Sequence, residues 1–220
     1  MFNIKICGIT NPADARAVIE SGADAIGLNF YGKSLRHVTV EQAKEVVAVL
    51  NPQMTRVGVF VDQTPDEINQ IVESCQLDAV QLHGNQDAQF IEQVECDNII
   101  LAIRWTTRDQ MMADQLSTMF CRVRTILLDS QVGKQFGGTG AAIPWSDTVD
   151  VTFALPLILA GGLNKDNVRE AISTVRPNGV DVAGGVENFP GKKDPELMNQ
   201  FVAEAKSAMA ETTPKNRSLG

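Results

Sequence analysis

The chain has 220 residues, of which 44% are hydrophobic and 21% charged, and its formal net charge is −8. This length suits one large domain, and the acidic balance without a basic run argues against a nucleic-acid partner. No apolar stretch has the length of a membrane span, and the start of the chain lacks the pattern of a signal peptide. We therefore expect a cytoplasmic protein with no membrane partner.

Four cysteines and two histidines are the side chains most able to bind a soft metal. The cysteines, Cys7, Cys75, Cys96 and Cys121, have no C-x-x-C spacing, and two histidines are few for a zinc site. We therefore expect reduced thiols and no metal.

Short apolar runs of strand length alternate along the chain with segments of helical spacing. Capping residues followed by proline mark several helix starts, as at Thr64-Pro65 and Asp194-Pro195. The predicted strands cover residues 3–8, 23–30, 55–61, 78–82, 98–104, 124–128, 157–160 and 180–183. The predicted helices cover about residues 12–21, 40–50, 65–74, 86–95, 107–118, 145–149, 164–175 and 195–209.

This strict alternation predicts a single-domain (β/α)8 barrel of the α/β class over residues 1–210. Its sixth helix is short, and residues 211–220 are typical of a flexible tail. A doubly wound open sheet is the alternative, but it would normally have fewer strands. A dinucleotide-binding version would also carry G-x-G-x-x-G after the first strand, where this chain has Cys7-Gly8-Ile9-Thr10.

Paired glycines follow the last two predicted strands, Gly161-Gly162 after the seventh and Gly184-Gly185 after the eighth. Glycine lets the backbone approach a ligand closely, and exposed N–H groups beside a helix start bind anions. Barrels of this type often bind phosphate at the loops after strands 7 and 8. The pattern therefore favours a phosphate site, and two plain turns are the alternative.

Active-site residues of such a barrel lie at the carboxyl ends of the strands, where this chain has several polar side chains. Asp129 is costly to bury after three apolar residues unless it has a role or a partner. Cys7 taken by itself is more typical of a small packed thiol, and His83 could equally be a satisfied polar residue at the rim. Arg36 is either a surface charge or a bidentate ligand for a substrate carboxylate.

Lys5 and Asp181 lie on the first and eighth predicted strands, which are neighbours in a closed barrel. They are either partners of each other, which is the interpretation we favour, or direct participants in catalysis.

The motifs of the chain resemble those of the phosphoribosylanthranilate isomerase family over nearly its whole length. The resemblance rests on Lys5-Ile-Cys-Gly-Ile-Thr10, Gly27-Leu-Asn-Phe-Tyr31 with Ser34 and Arg36, Arg56-Val-Gly-Val-Phe-Val61, Val80-Gln-Leu-His-Gly84, Leu127-Leu-Asp129, Gly137-Gly-Thr-Gly140, Leu159-Ala-Gly-Gly-Leu-Asn164, Val180-Asp-Val-Ala-Gly-Gly-Val-Glu187 and Phe189-Pro-Gly-Lys-Lys-Asp194.

The resemblance implies an Amadori rearrangement in tryptophan biosynthesis, without cofactor or metal. It implies that Cys7 is the base and Asp129 the acid, and that Arg36 holds the anthranilate carboxylate. The glycine loops would hold the phosphate of a small phosphorylated substrate. Gln81 and His83 are further candidates for substrate binding, and the protein would be a monomer or a homodimer.

Two further expectations follow from this assignment. The Cys7 thiol would need a lowered pKa, and Lys5, on the same face of the strand, is the candidate cause. The glycine-rich loop at residues 130–143 would be a mobile lid over the substrate.

Two alternative functions stay open for this chain. One is another enzyme on the same phosphate-binding barrel, such as a pentose-phosphate epimerase or an indole-forming synthase. The other is a non-catalytic sensor of a phosphorylated ligand.

Overall fold

The computed structural model describes residues 1–104, 121–129 and 155–212. Eight parallel strands form a closed barrel in the order of the sequence. They are β1 (Ile4–Cys7), β2 (Ala25–Asn29), β3 (Thr55–Phe60), β4 (Ala79–Leu82), β5 (Ile99–Arg104), β6 (Val123–Asp129), β7 (Leu157–Ala160) and β8 (Gly179–Val182). The prediction of a (β/α)8 barrel is confirmed.

Barrel closure brings the first and last strands together. β1 pairs with β2 on one side and with β8 on the other, so that Lys5 lies opposite Ala25 and also opposite Asp181. The predicted strand bounds agree with these elements to within two residues.

Six α-helices lie in the described part of the chain. They are α1 (Pro12–Ser21), α2 (Val40–Val47), α3 (Pro65–Cys75), α4 (Ala88–Glu92), α5 (Val168–Val175) and α6 (Pro195–Glu211). Local capping explains their starts: Thr39 and Thr64 each form a capping box with the residue three positions later, and proline opens α1, α3 and α6.

The fourth helix is shorter than the predicted range of residues 86–95. Asp87 accepts a hydrogen bond from Phe90 N and so fixes the first turn of α4 after Gln86. The last helix ends at Glu211, two residues beyond the predicted end at Met209. The predicted helices at 107–118 and 145–149, the proposed lid at 130–143 and the tail from residue 213 lie outside the described residues.

The strands are largely buried on both faces, which is why most of their residues are apolar. A large cluster of side chains fills the space between strands and helices. A smaller cluster fills the barrel interior and consists of Phe2, Ala25, Val57, Ala79, Ile100, Ala102, Leu127, Ile158 and Ala160. Within the described ranges, no helix is both long enough and apolar enough to cross a membrane.

A β-hairpin follows β8 and was not predicted. After a 3₁₀ helix at Gly184–Val186, strands β9 (Glu187–Phe189) and β10 (Lys192–Lys193) pair antiparallel around Pro190-Gly191. Gly191 has a φ of 85°, which favours glycine at this turn.

Candidate active site

A cavity of about 360 Å³ opens at the carboxyl ends of the barrel strands. Lys5 is fully buried and is absent from its lining. The other candidate residues from the sequence all line it: Cys7, Arg36, Gln81, His83, Asp129, Gly161, Gly162, Asp181, Gly184 and Gly185.

Cys7 ends β1 with its thiol inside the protein. Burial raises the pKa of this thiol above its ordinary value of 9.0, while the positive charge of Lys5 opposes that rise. Asp181 raises the pKa further, and Lys193 and Arg36 lower it. The expectation of a lowered pKa was therefore wrong: Lys5 acts on the Cys7 pKa in the predicted direction, but burial has the larger effect.

Lys5 and Asp181 are partners, as the neighbouring strands suggested. Lys5 Nζ lies 3.4 Å from Asp181 Oδ2 and also donates to Gln81 Oε1. The other oxygen of this carboxylate, Asp181 Oδ1, is buried without a hydrogen-bond partner among the described residues. Burial raises the pKa of Asp181 against the pull of Lys5.

The same chain of contacts continues to Asp129. Gln81 Nε2 lies 3.3 Å from His83 Nδ1, and His83 Nε2 lies 3.3 Å from Asp129 Oδ2. Since Gln81 Oε1 accepts from Lys5, the Gln81 amide nitrogen can donate to His83 Nδ1, which places the other ring nitrogen, Nε2, as the donor to Asp129. Four of the candidate residues from the sequence are thus joined by polar contacts in one row, which runs from Lys5 through Gln81 and His83 to Asp129.

Arg36 is held in the loop after β2 and is only 8% exposed, which excludes an ordinary surface charge. Ser34 Oγ accepts from the backbone N–H of Arg36 and from Asn29 Nδ2, which fixes the loop. Gly8 has a φ of 78°, and a side chain there would collide with the stem of Arg36.

The Arg36 guanidinium forms a bidentate pair with Glu187, with Nε 2.7 Å from Oε1 and Nη2 2.6 Å from Oε2. This pair raises the pKa of Arg36. Nε and Nη2 form one edge of the guanidinium, and this side edge donates to Glu187. The end edge, formed by Nη1 and Nη2, is the edge with which Arg36 can donate to another acceptor.

Sequence reasoning missed Glu187 and Lys193. Lys193 is 2% exposed, and its Nζ donates to Glu187 Oε1 at 2.7 Å and to Ala183 O at 2.9 Å. The available signal was Pro190-Gly191, a turn dipeptide between two short polar segments, which predicts a hairpin and hence opposed side chains.

The two glycine loops pack against each other. Gly161 and Gly162 have φ values of 86° and 67°, a backbone conformation that L side chains rarely adopt. Gly162 O accepts from Asn167 Nδ2 at 2.9 Å, and a side chain on Gly185 would strike the carbonyl oxygen of Leu163. The loops after β7 and β8 therefore approach each other as closely as backbone allows.

These features define a (β/α)8-barrel enzyme site with a thiol, a carboxylate and a guanidinium around one cavity, beside two glycine loops. Among the described residues, no group of three histidine, cysteine, aspartate or glutamate side chains could hold a metal ion. The Cys7 thiol and the Asp129 carboxylate in the lining are groups that can transfer protons to and from a bound molecule.

Comparison with known proteins identifies the family. The family model for N-(5'phosphoribosyl)anthranilate (PRA) isomerase matches residues 4–204. The N-(5'-phosphoribosyl)anthranilate isomerase of Geobacter sulfurreducens is 44% identical over 206 residues, which are 94% of this chain and 99% of the relative. The chain therefore belongs to the phosphoribosylanthranilate isomerase family, the aldose–ketose isomerases of tryptophan biosynthesis.

Two solved structures agree with this assignment. The crystal structure of phosphoribosyl anthranilate isomerase from Thermotoga maritima is 41% identical, with a TM-score of 0.85, and covers 94% of this chain and 100% of its own. A crystal structure of phosphoribosyl anthranilate isomerase in complex with reduced 1-(o-carboxyphenylamino)-1-deoxyribulose 5-phosphate is 40% identical, with a TM-score of 0.78 and the same coverage.

Proposed function

We propose that this chain converts N-(5-phosphoribosyl)anthranilate to 1-(2-carboxyphenylamino)-1-deoxyribulose 5-phosphate, with Cys7 as the general base and Asp129 as the general acid. One observation carries the assignment of these roles. The buried thiol and the buried carboxylate, at the ends of β1 and β6, line one cavity together with the two glycine loops.

The reaction needs one proton donated and one proton removed. Asp129 donates its proton to the furanose ring oxygen as the bond from that oxygen to sugar carbon 1 breaks, which leaves a protonated imine. The Cys7 thiolate then removes the proton from carbon 2, and the electron pair of that C–H bond neutralises the imine to give an enolamine. Tautomerisation of the enolamine gives the ketone at carbon 2.

His83 supports the acid in this scheme. Its Nε2 lies 3.3 Å from Asp129 Oδ2, where it can donate a hydrogen bond to the carboxylate that remains after proton transfer. The row from Lys5 through Gln81 holds the imidazole in the tautomer that this requires.

Binding of the two ends of the substrate is assigned to separate groups. The end edge of the Arg36 guanidinium would donate hydrogen bonds to the anthranilate carboxylate, since the side edge already donates to Glu187. The backbone N–H groups near Gly162 and Gly184-Gly185 would bind the phosphate, at loops that pack too closely for a side chain on Gly185. The complex of the relative with a phosphorylated substrate analogue supports a ligand of this class.

A single-turnover assay with N-(5-phosphoribosyl)anthranilate tests this function. The expected result is complete conversion by the purified protein without added metal, and loss of conversion in the Cys7→Ser variant. Binding of the substrate without conversion would support the sensor, and conversion of pentose phosphates alone would support another barrel enzyme.

The remaining properties stay predictions. We infer a cytoplasmic enzyme that acts on a small phosphorylated molecule, has no nucleic-acid or membrane partner, and is a monomer or a homodimer. Sedimentation analysis of the purified protein distinguishes the two oligomeric states.

A further inference from the structure

We propose that Lys193 is a positioning residue. It fixes the position of the carboxylate-binding end of the cavity, at Arg36, relative to the phosphate-binding end, at the loop after β8. Its single ammonium group contacts Glu187, which holds Arg36, and the Ala183 carbonyl, which precedes the phosphate-binding glycines. This inference rests on the proposed function, because it takes the carboxylate and phosphate ends from it.

The burial of Lys193 calls for an explanation. A lysine is rarely fully buried unless it is paired, and Lys193 lies at the base of the hairpin with only 2% of its surface exposed. Burial lowers its pKa, and the adjacent Glu187 carboxylate acts against that change. Its neighbour on the same short strand, Lys192, is exposed.

The first contact acts on the carboxylate-binding end. Glu187 Oε1 accepts from Arg36 Nε and from Lys193 Nζ, both at 2.7 Å, while Oε2 accepts from Arg36 Nη2. Lys193 therefore fixes the plane of the Glu187 carboxylate, and that plane sets the direction of the free edge of the guanidinium.

The second contact acts on the phosphate-binding end. Lys193 Nζ donates to Ala183 O at 2.9 Å, and Ala183 is joined to Gly184 by a peptide bond. Because a trans peptide directs its C=O and N–H to opposite sides, anchoring the carbonyl on Lys193 directs the Gly184 N–H away from it. Gly184 lines the cavity, so this contact fixes the orientation of one predicted phosphate donor.

The cluster also has an electrostatic effect on the base. Arg36 and Lys193 are cations, and both pair with the single anion Glu187. The three side chains together therefore carry one net positive charge at the mouth of the barrel. The charged groups that act on the Cys7 thiol are Lys5 and Asp181 from the barrel interior, with Arg36 and Lys193 from the loops. Removal of the Lys193 charge should therefore raise the pKa of Cys7 further.

The Lys193→Met variant tests the proposal, with Lys192→Met as the matched control. We expect kcat/KM to fall on the order of 10²-fold, affinity for inorganic phosphate to weaken, and the pH profile of Cys7 alkylation by iodoacetamide to move to higher pH. The control should match the wild-type protein in all three measurements. Glu187→Gln should weaken binding of the reduced product analogue while leaving phosphate affinity unchanged, because Lys193 still holds Ala183.

The proposal is overturned if folded Lys193→Met keeps wild-type phosphate affinity and an unchanged alkylation profile. If this variant does not fold, Lys193→Gln, whose neutral amide can still donate to Ala183 O, replaces it: its alkylation profile should still move to higher pH, and an unchanged profile overturns the proposal. Phosphate binding and alkylation require no turnover. A wild-type protein without isomerase activity would therefore refute the proposed function while these two measurements still decide the role of Lys193.

Discussion

Gly27 lies directly opposite Cys7 in the pairing of β1 with β2, and a side chain on Gly27 would stand 2.6 Å from Cys7 Sγ. The thiol occupies the space that a methyl group would need, and the Cys7 backbone would be only 3.0 Å away. Gly27 thus keeps room for the proposed base, as Gly8 keeps room for the stem of Arg36.

The Gly27→Ala variant should therefore displace the thiol. We expect a loss on the order of 10²-fold in kcat, since a shift of about 1 Å in a reacting group has that effect, and a stability loss of about 1–3 kcal/mol from overpacking. Steady-state kinetics and urea denaturation measure the two effects. Gly32→Ala is the control, because nothing lies within 4 Å of its added methyl group. Wild-type kcat in Gly27→Ala would contradict the requirement for a fixed thiol.

Cys7→Ser and Asp129→Asn should separate the two proton transfers. Each change should lower kcat by roughly 10²–10⁴-fold, because a serine hydroxyl does not ionise near neutrality and an asparagine cannot donate the acid proton. Affinity for the reduced product analogue should change little, since Arg36 and the glycine loops are untouched. Cys121→Ala is the control, as this cysteine is exposed and precedes β6. Near-normal turnover in Cys7→Ser would reassign the base.

Reactivity of Cys7 should depend on pH in a defined direction. Burial raises its pKa above 9.0, so the thiolate fraction is small near neutrality and grows as pH rises through and beyond that value. The rate of alkylation should increase over this range, and the reduced product analogue should protect the thiol. In Lys5→Met the profile should move to still higher pH, because the largest opposing charge is removed. A profile centred below pH 9 would mean that the ligand-free site already stabilises the thiolate.

The barrel and most of the site could be predicted from the sequence because both follow from local rules. Strands buried on both faces give apolar runs, and the residues that end those runs meet at one edge of a parallel barrel. This rule found Cys7, Gln81 and Asp129 without any knowledge of contacts.

Contacts between residues on different loops could not be predicted by this rule. Arg36 and Glu187 are 151 positions apart, and their pairing depends on the hairpin after β8 folding back over the loop after β2. The sign of the Cys7 pKa shift also needed the structure, because it is a balance between burial and four charges. Sequence spacing identified only Lys5 among those charges.

Each member of the buried Lys5–Asp181 pair should stabilise the fold because its charge offsets the buried charge of the other. Among the described residues, Asp181→Ala leaves the fully buried Lys5 ammonium with Gln81 as its hydrogen-bond partner, and we expect a loss of about 3–5 kcal/mol in the free energy of unfolding. The double variant Lys5→Met with Asp181→Ala should recover part of that loss, since no uncompensated charge remains.

An exposed ion pair provides the control for this comparison. Arg169 and Glu204 are each more than 40% exposed, so Glu204→Ala should cost at most about 1 kcal/mol. Denaturant unfolding of the wild-type protein and the three variants measures all these values. Equal losses in Asp181→Ala and Glu204→Ala would contradict the importance of burial at Lys5.

The two glycines after β8 should respond differently to substitution. Gly184→Val places a branched side chain at a loop position that lines the cavity, so we expect a large rise in KM and in the dissociation constant for inorganic phosphate, with the fold retained. Gly185→Ala should instead lower the melting temperature, because its methyl group would strike the Leu163 carbonyl oxygen and separate the two loops. Calorimetry and phosphate titration of both variants make the comparison. If Gly184→Val bound phosphate and substrate like the wild-type protein, the phosphate site would have to lie elsewhere in the cavity.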